Sequence, residues 1–339
     1  MSPSTSASPS DSTPARLPAV GDTVDVTTGV KVPWGLAFVA DGSTLVAERP
    51  TGRVLRIGPD GGTTEAGVIP GVQPRGEGGL LGLAVPPRDP STVFAYFTST
   101  EGDNRVVRLS LRQGRLGAPT TVLTGIPAAS NHNGGRIVVG PDGNLWIGTG
   151  DAAETAASQE RTGLAGKILR IKLDGSVPAD NPFAGSPVWS YGHRNVQGLA
   201  FDSTGQLWAT EFGQNTWDEL NKIVKGGNHG WPEVEGRGAR EGFVDPQVVW
   251  QTSEASPSGL AIVDDVAYVA ALRGRRLWQV PLAGGAAGRP VATLDGALGR
   301  LRTVEAAPDG GGLWVTTSNT DGRGSAKDGD DRVVRVPLS

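Results

Sequence analysis

Histidine occurs three times in the 339 residues, at His132, His193 and His229. Imidazole titrates at about 6.5, so it is the natural side chain to take a proton at neutral pH. His132 lies in SNHNGGRI, between two asparagines and just ahead of a glycine pair and an arginine. A lone histidine is more often a structural residue than a base, and residue type alone leaves that reading ahead. Arginines form a second group. YGHRN supplies Arg194, LRGRR supplies Arg273, Arg275 and Arg276, and GRLRT supplies Arg300 and Arg302. A spacing of two puts Arg300 and Arg302 on one face of a strand. Guanidinium groups so placed suit bidentate recognition of carboxylates. Arg275 and Arg276 read more simply as a solvated strand face. Two other stretches carry no chemistry. LAGK lacks the flanking residues of a phosphate loop, and TDGRGSAKDGDD lacks the alternating carboxylates of a calcium-binding EF-hand.

Composition narrows what these groups can serve. There are 31 lysines and arginines against 35 aspartates and glutamates, a formal charge of −4. A broad nucleic-acid surface needs a basic excess and is excluded, although a local basic pocket is not. With no cysteine there are neither disulfides nor thiolate metal sites. No apolar run approaches the ~20 residues of a membrane span. Residues 1 to 17, MSPSTSASPSDSTPARL, are rich in Ser, Thr and Pro and have no apolar period, as in a flexible tether. Such a tether often follows a removed export or lipoprotein signal. The expectation is an exported protein, periplasmic or extracellular, with a lipid anchor in the precursor as one form.

The groups are positioned by a repeat. WGLAF, LGLAV, GGRIV, QGLAF and SGLAI recur along the chain, followed by a degenerate RTVEA. Their second residues are Gly35, Gly82, Gly135, Gly198, Gly259 and Thr303, separated by 44 to 63 residues. Most copies lead into a turn and a second apolar strand, as in GPDGNLWIGTG and DSTGQLWATE. The Asp-Gly pairs are hairpin chemistry. Third strands follow in GRVLRIG, GKILRIKL and RLWQVPL. TWDELNKIV alone reads as a turn or two of helix. Six units of about four short strands predict an all-β fold, a single six-bladed β-propeller of four-stranded antiparallel blades over residues 18–339. Glycine recurs in the inner strands because they crowd the axis.

NHNGGRIVVGPDGNLWIGTGD, LAGKILRI, YGHRNVQGLAFD, ATEFGQNTWDELNKIVKGGNHGWPEVEG and GRLRTVEAAPDG together resemble the glucose/sorbosone dehydrogenase family, from about Val32 to Val336. The resemblance implies a soluble aldose sugar dehydrogenase that uses pyrroloquinoline quinone (PQQ) and calcium. It makes His132 the base that removes the sugar hydroxyl proton as hydride leaves C1. The family often carries Asp just before this His to orient its ring. Here it is Asn131, whose amide accepts a hydrogen bond but stabilises an imidazolium less.

The resemblance places Arg194 and Asn195 at the quinone carbonyl and Glu77, in GEGGLLG, near the cofactor and the substrate mouth. Arg273, where relatives commonly have Lys, joins Arg300 and Arg302 around the cofactor's carboxylates. TEFGQNTWDELN becomes the calcium loop, with the main-chain carbonyls of Gly213 and Gln214 as ligands and Asp218 and Glu219 as braces. Gln214 stands where Pro is frequent. A second calcium is expected around EVEGRGAREGFVD, with Glu233, Asp245 and the carbonyl of Phe243 as candidates. An ordinary acidic loop explains that stretch equally well. His193 reads as structural, and Trp217 as a residue at the substrate entrance. The implied partners are an aldose and an external electron acceptor, with the chain a monomer or homodimer. Two other classes stay open. One is a calcium-dependent lactone hydrolase, which needs carboxylate and Asn ligands converging on the axis. The other is a non-catalytic binding propeller.

Overall fold

The computed structural model describes residues 17–339. All but the last residue of the tether expected over residues 1–17 lies outside the described residues. Leu17 itself packs beside Val20 and Leu338 on the last blade. Among the described residues, the sheets form six four-stranded antiparallel blades, two of them carrying an extra two-residue strand. Among these residues the helical content is one 3-10 turn, Thr155–Gln159, and no helix is long and apolar enough to cross a membrane.

The six repeated motifs become the six innermost strands: Pro33–Phe38, Leu80–Ala84, Ile137–Val139, Val196–Phe201, Pro257–Val263 and Leu301–Ala306. We number the blades 1 to 6 in that order. Each inner strand touches the next, and the sixth touches the first, which closes the ring. The glycines are demanded by that contact. A Cβ on Gly35 would run into the Leu81 carbonyl and one on Gly82 into the Gly135 carbonyl. One on Gly259 would lie 2.6 Å from the Val304 amide. The hairpins leaving the inner strands share one device. Asp41, Asp142, Asp202 and Asp309 each accept a backbone N–H from two residues on, at 2.9–3.0 Å.

Val24–Thr27 pairs with Val333–Pro337 and completes blade 6, which otherwise comes from the C-terminal part of the chain. TWDELNKIV is not helical. Trp217–Lys222 is the third strand of blade 4, paired with Leu207–Glu211 on one side and Val248–Gln251 on the other. Those two sets of ladder bonds outweigh a local helical preference.

Antiparallel pairing also decides where function can gather. The segment that enters each inner strand opens at the same end of the ring as the link between the second and third strands. Arg49, Glu77, His132, Asp151, Arg194, Gly213, Arg273, Arg300 and Asp321 all occupy such positions. This end is the top face below.

Candidate functional site

His132 is held from three sides. Its backbone lies in the left-handed region at φ 55°, a strained state for a residue with a side chain, costing roughly 1–3 kcal/mol. Its amide donates to Glu77 Oε2 at 3.2 Å, and its carbonyl accepts from Ala152. Gly134 and Gly135 follow at φ 62° and 113°, and a Cβ on Gly134 would lie 2.5 Å from Thr149. Nothing larger than glycine lets the chain descend here to the axis.

The ring is oriented by Asp151, whose Oδ1 lies 2.7 Å from His132 Nδ1. Asp151 also accepts from Trp231 Nε1 at 2.9 Å and from the Ala153 amide at 2.8 Å. Burial alone would raise its pKa. The hydrogen bonds, from His132 first, outweigh that and hold it below the ordinary carboxylate range. A carboxylate at Nδ1 assigns the proton to that nitrogen. Nε2 is left as the basic atom, and it has no partner among the described residues. This corrects the role given to Asn131: its side chain accepts from Ser130 Oγ at 3.3 Å, and the orienting acid lies 19 residues downstream.

Arg194 and Asn195 flank the dyad. Arg194 Nη1 donates to the carbonyls of Gly213 at 2.7 Å and Phe212 at 3.2 Å, and the guanidinium lies 5.4 Å over the Trp231 ring. Asn195 Oδ1 accepts from the Gly134 amide at 3.0 Å. Arg194 Nε and Asn195 Nδ2 are buried donors without an acceptor among the described residues, as is Arg302 Nε. Unmet buried donors are costly, and three around one site ask for a ligand rich in acceptors.

The cations singled out in the sequence bring neighbours that sequence reasoning missed. Arg300 and Arg302 share Asp321, at 3.0 and 3.9 Å. Arg323 pairs with Glu77 at 2.8 Å, which ties this cluster to the His132 amide. Burial and then Arg49 lower the pKa of Arg302 to about 9, against the opposing pull of Asp321. Arg302 also donates to Gln197 Oε1 at 2.8 Å. Beside it, Arg136 plugs the axis with bonds to the Gln197 carbonyl and Thr303, 4.4 Å over the Trp34 ring. Arg273 is exposed on the same face and makes no ion pair among the described residues.

In the expected calcium loop, the amides of Gln214, Asn215, Thr216 and Trp217 all donate to Glu235 Oε1, at 2.7–3.1 Å. Asp218 accepts from the Gly213 amide and Glu219 from the Gly236 amide, so both brace the loop. Trp217 packs half-buried against Gly236. Glu233 instead pairs with Arg240, whose guanidinium covers the Phe243 ring, and Asp245 accepts from the amides of Gly238 and Ala239. Among the described residues no three His, Asp or Glu side chains are grouped to hold a metal.

His193 is structural, as expected. It is buried between Ser190 and Glu211, each at 2.8 Å, and Glu211 also accepts the Arg194 amide. His229 stacks on it at 4.5 Å with both ring nitrogens unpartnered, and burial drives its pKa well below the ordinary value. The unfolded chain therefore takes up a proton below pH ~6.5 that the folded chain refuses, so stability falls as pH falls through that value. His229→Phe keeps the stack without the proton site. Its stability relative to wild type is expected to rise by about 1.4 kcal/mol per pH unit below 6.5. Urea unfolding at pH 7.5 and 5.5 checks this, and equal pH dependence in the two proteins refutes it.

Similarity to known proteins agrees with this constellation. A family model described as glucose / sorbosone dehydrogenase matches residues 30–326. The solved PQQ-bound aldose sugar dehydrogenase of Streptomyces coelicolor is 51% identical with a TM-score of 0.93, over 96% of this chain and 99% of that one. Quinoprotein glucose dehydrogenase B of Acinetobacter calcoaceticus is 36% identical over 60% of this chain, which spans about half (51%) of that relative's length. Aldose sugar dehydrogenase YliI of Escherichia coli is 29% identical over 86% of this chain and 88% of its own. With the matched model covering all six inner strands and the dyad, the chain belongs to the glucose/sorbosone dehydrogenase family.

Proposed function

We infer that the protein oxidises aldoses at C1 to lactones with PQQ as cofactor. One observation carries the reading: a histidine base oriented by a buried carboxylate stands beside two buried donors, Arg194 Nε and Asn195 Nδ2, that lack acceptors. Those donors fit a quinone carbonyl, and Arg273, Arg300 and Arg302 fit the cofactor's carboxylates. When bound, PQQ supplies the hydride acceptor, and calcium supplies Lewis-acid polarisation of it.

The chain's own residues do the rest. His132 Nε2 takes the anomeric hydroxyl proton, and Asp151 steadies the resulting imidazolium. Arg194 opposes negative charge where it develops, in a site already built for it. The carbonyls of Gly213 and Gln214 suit calcium by donor type, but it takes six to eight oxygens. Calcium bound there would need further oxygen ligands beyond these two carbonyls. An external acceptor removes the electrons. The hydrolase alternative needs acidic ligands converging on the axis, where this chain has Arg136 and Arg302.

Protein freed of metal and cofactor is expected to reduce a dye with aldose only after both PQQ and calcium are restored. Full activity after exhaustive chelation refutes the calcium assignment, and activity with a nicotinamide cofactor refutes the quinone.

A further inference from the structure

On the top face, at the seam of blades 5 and 6, a cavity of about 350 Å³ opens among Arg273, Arg275, Arg300, Arg323, Lys327 and Arg332. None of its lining residues is a carboxylate. Three of the cations are balanced from behind the wall: Arg300 by Asp321, Arg323 by Glu77, and Arg332 by Asp25 and Asp330. The side chains of Arg273, Arg275 and Lys327 have no ion-pair partner among the described residues. At its edge the Gly296 amide donates to the Arg275 carbonyl at 2.8 Å and ties the blade 5 loop to the link into blade 6. Its volume lies at the small end of ligand sites, roughly 300–1,000 Å³. A chain of net charge −4 repels anions in general, so unpaired cations around one concavity focus them there.

The cofactor's carboxylates do not account for this charge. Arg273 and Arg300 face that task from one edge, while Arg275 and Lys327 are surplus to it. We propose that the cavity docks a small polyanionic one-electron acceptor beside the cofactor. The proposal rests on the redox reading above. Oxidation of one aldose to its lactone releases two electrons and two protons. Two acceptor ions are each reduced by one electron, the cofactor returns to its oxidised state, and the protons pass to water. The shared edge at Arg273 and Arg300 keeps the path between cofactor and acceptor short.

The test compares protein loaded with PQQ and calcium with its Arg275→Glu/Lys327→Glu variant. The acceptors are hexacyanoferrate(III), an anion, and hexaammineruthenium(III), a cation. The variant is expected to raise the KM for hexacyanoferrate about tenfold. The KM for the ruthenium complex should hold or fall, and the KM for aldose should not change. Calorimetry with redox-inert hexacyanocobaltate(III) gives a readout without turnover: binding is expected with and without PQQ, and about tenfold weaker in the variant. An unchanged hexacyanoferrate KM overturns the docking site. So does hexacyanocobaltate binding that PQQ abolishes, which would make the cavity the cofactor's own. Absence of aldose oxidation with either acceptor overturns the functional reading, and this proposal with it.

Discussion

His132→Ala is expected to lower turnover by about 10²–10⁴-fold while PQQ affinity stays within a few-fold of wild type. The base acts on the substrate hydroxyl, and the groups suited to the cofactor are elsewhere: Arg194 and Asn195 on blade 4, Arg273 on blade 5, Arg300 and Arg302 on blade 6. Removing the imidazole leaves their bonds to Gly213, Gly134 and Asp321 in place. Stability should not fall much, because alanine inherits only the φ of 55° that His132 already bears. Turnover under saturating PQQ and aldose, with quinone titration alongside, separates the two effects. Near-normal turnover would mean that the histidine merely finishes a turn. A parallel collapse of PQQ affinity would place it against the cofactor instead.

Asp151→Asn is expected to cost as much, about 10²–10⁴-fold in turnover, for a reason of proton bookkeeping. Three donors converge on this carboxylate: His132 Nδ1 and the Ala153 amide on Oδ1, and Trp231 Nε1 on Oδ2. An amide has one oxygen for them. If its nitrogen faces His132, it donates to Nδ1, forces the proton onto Nε2 and blocks the base. If its nitrogen faces Trp231, two buried donors oppose each other. Asp151→Ala leaves the tautomer free and should retain more activity than Asp151→Asn if the first arrangement prevails. Wild-type turnover in the asparagine variant would remove Asp151 from the mechanism.

What was legible in the sequence follows from what repeats. Gly35, Gly82, Gly198 and Gly259 recur because each inner strand presses on its neighbour, so a period of touching strands could be read as a ring. Arg300 and Arg302 were legible as a pair because a strand alternates its faces. His132 and Arg194 were found through the long motifs of the resemblance. Asp151, Trp231, Glu235, Asp321 and Arg323 were missed because they belong to loops of irregular length, and their contacts cross many residues. Trp231 reaches Asp151 across 80 positions and Arg323 reaches Glu77 across 246. Asn131 misled for the opposite reason, since adjacency in the chain is not adjacency in space when a residue turns through a positive φ. A signal for Asp151 did exist: it is the first acid after a second strand, at the end of the ring where the functional loops open.

The clasp between Val24–Thr27 and Val333–Pro337 divides the site in time as well as in space. His132, Asp151 and Arg194 sit on blades 3 and 4, each wound from one uninterrupted stretch of chain, and local pairings form early. Arg300, Arg302 and Asp321 belong to the blade whose edge is stitched across 307 positions by Asp25 and Arg332. Such distant pairings are slow, because the loop entropy must be overcome before any contact rewards it. The blade that carries Arg300, Arg302 and Asp321 is thus the one whose outer edge waits on a long-range pairing.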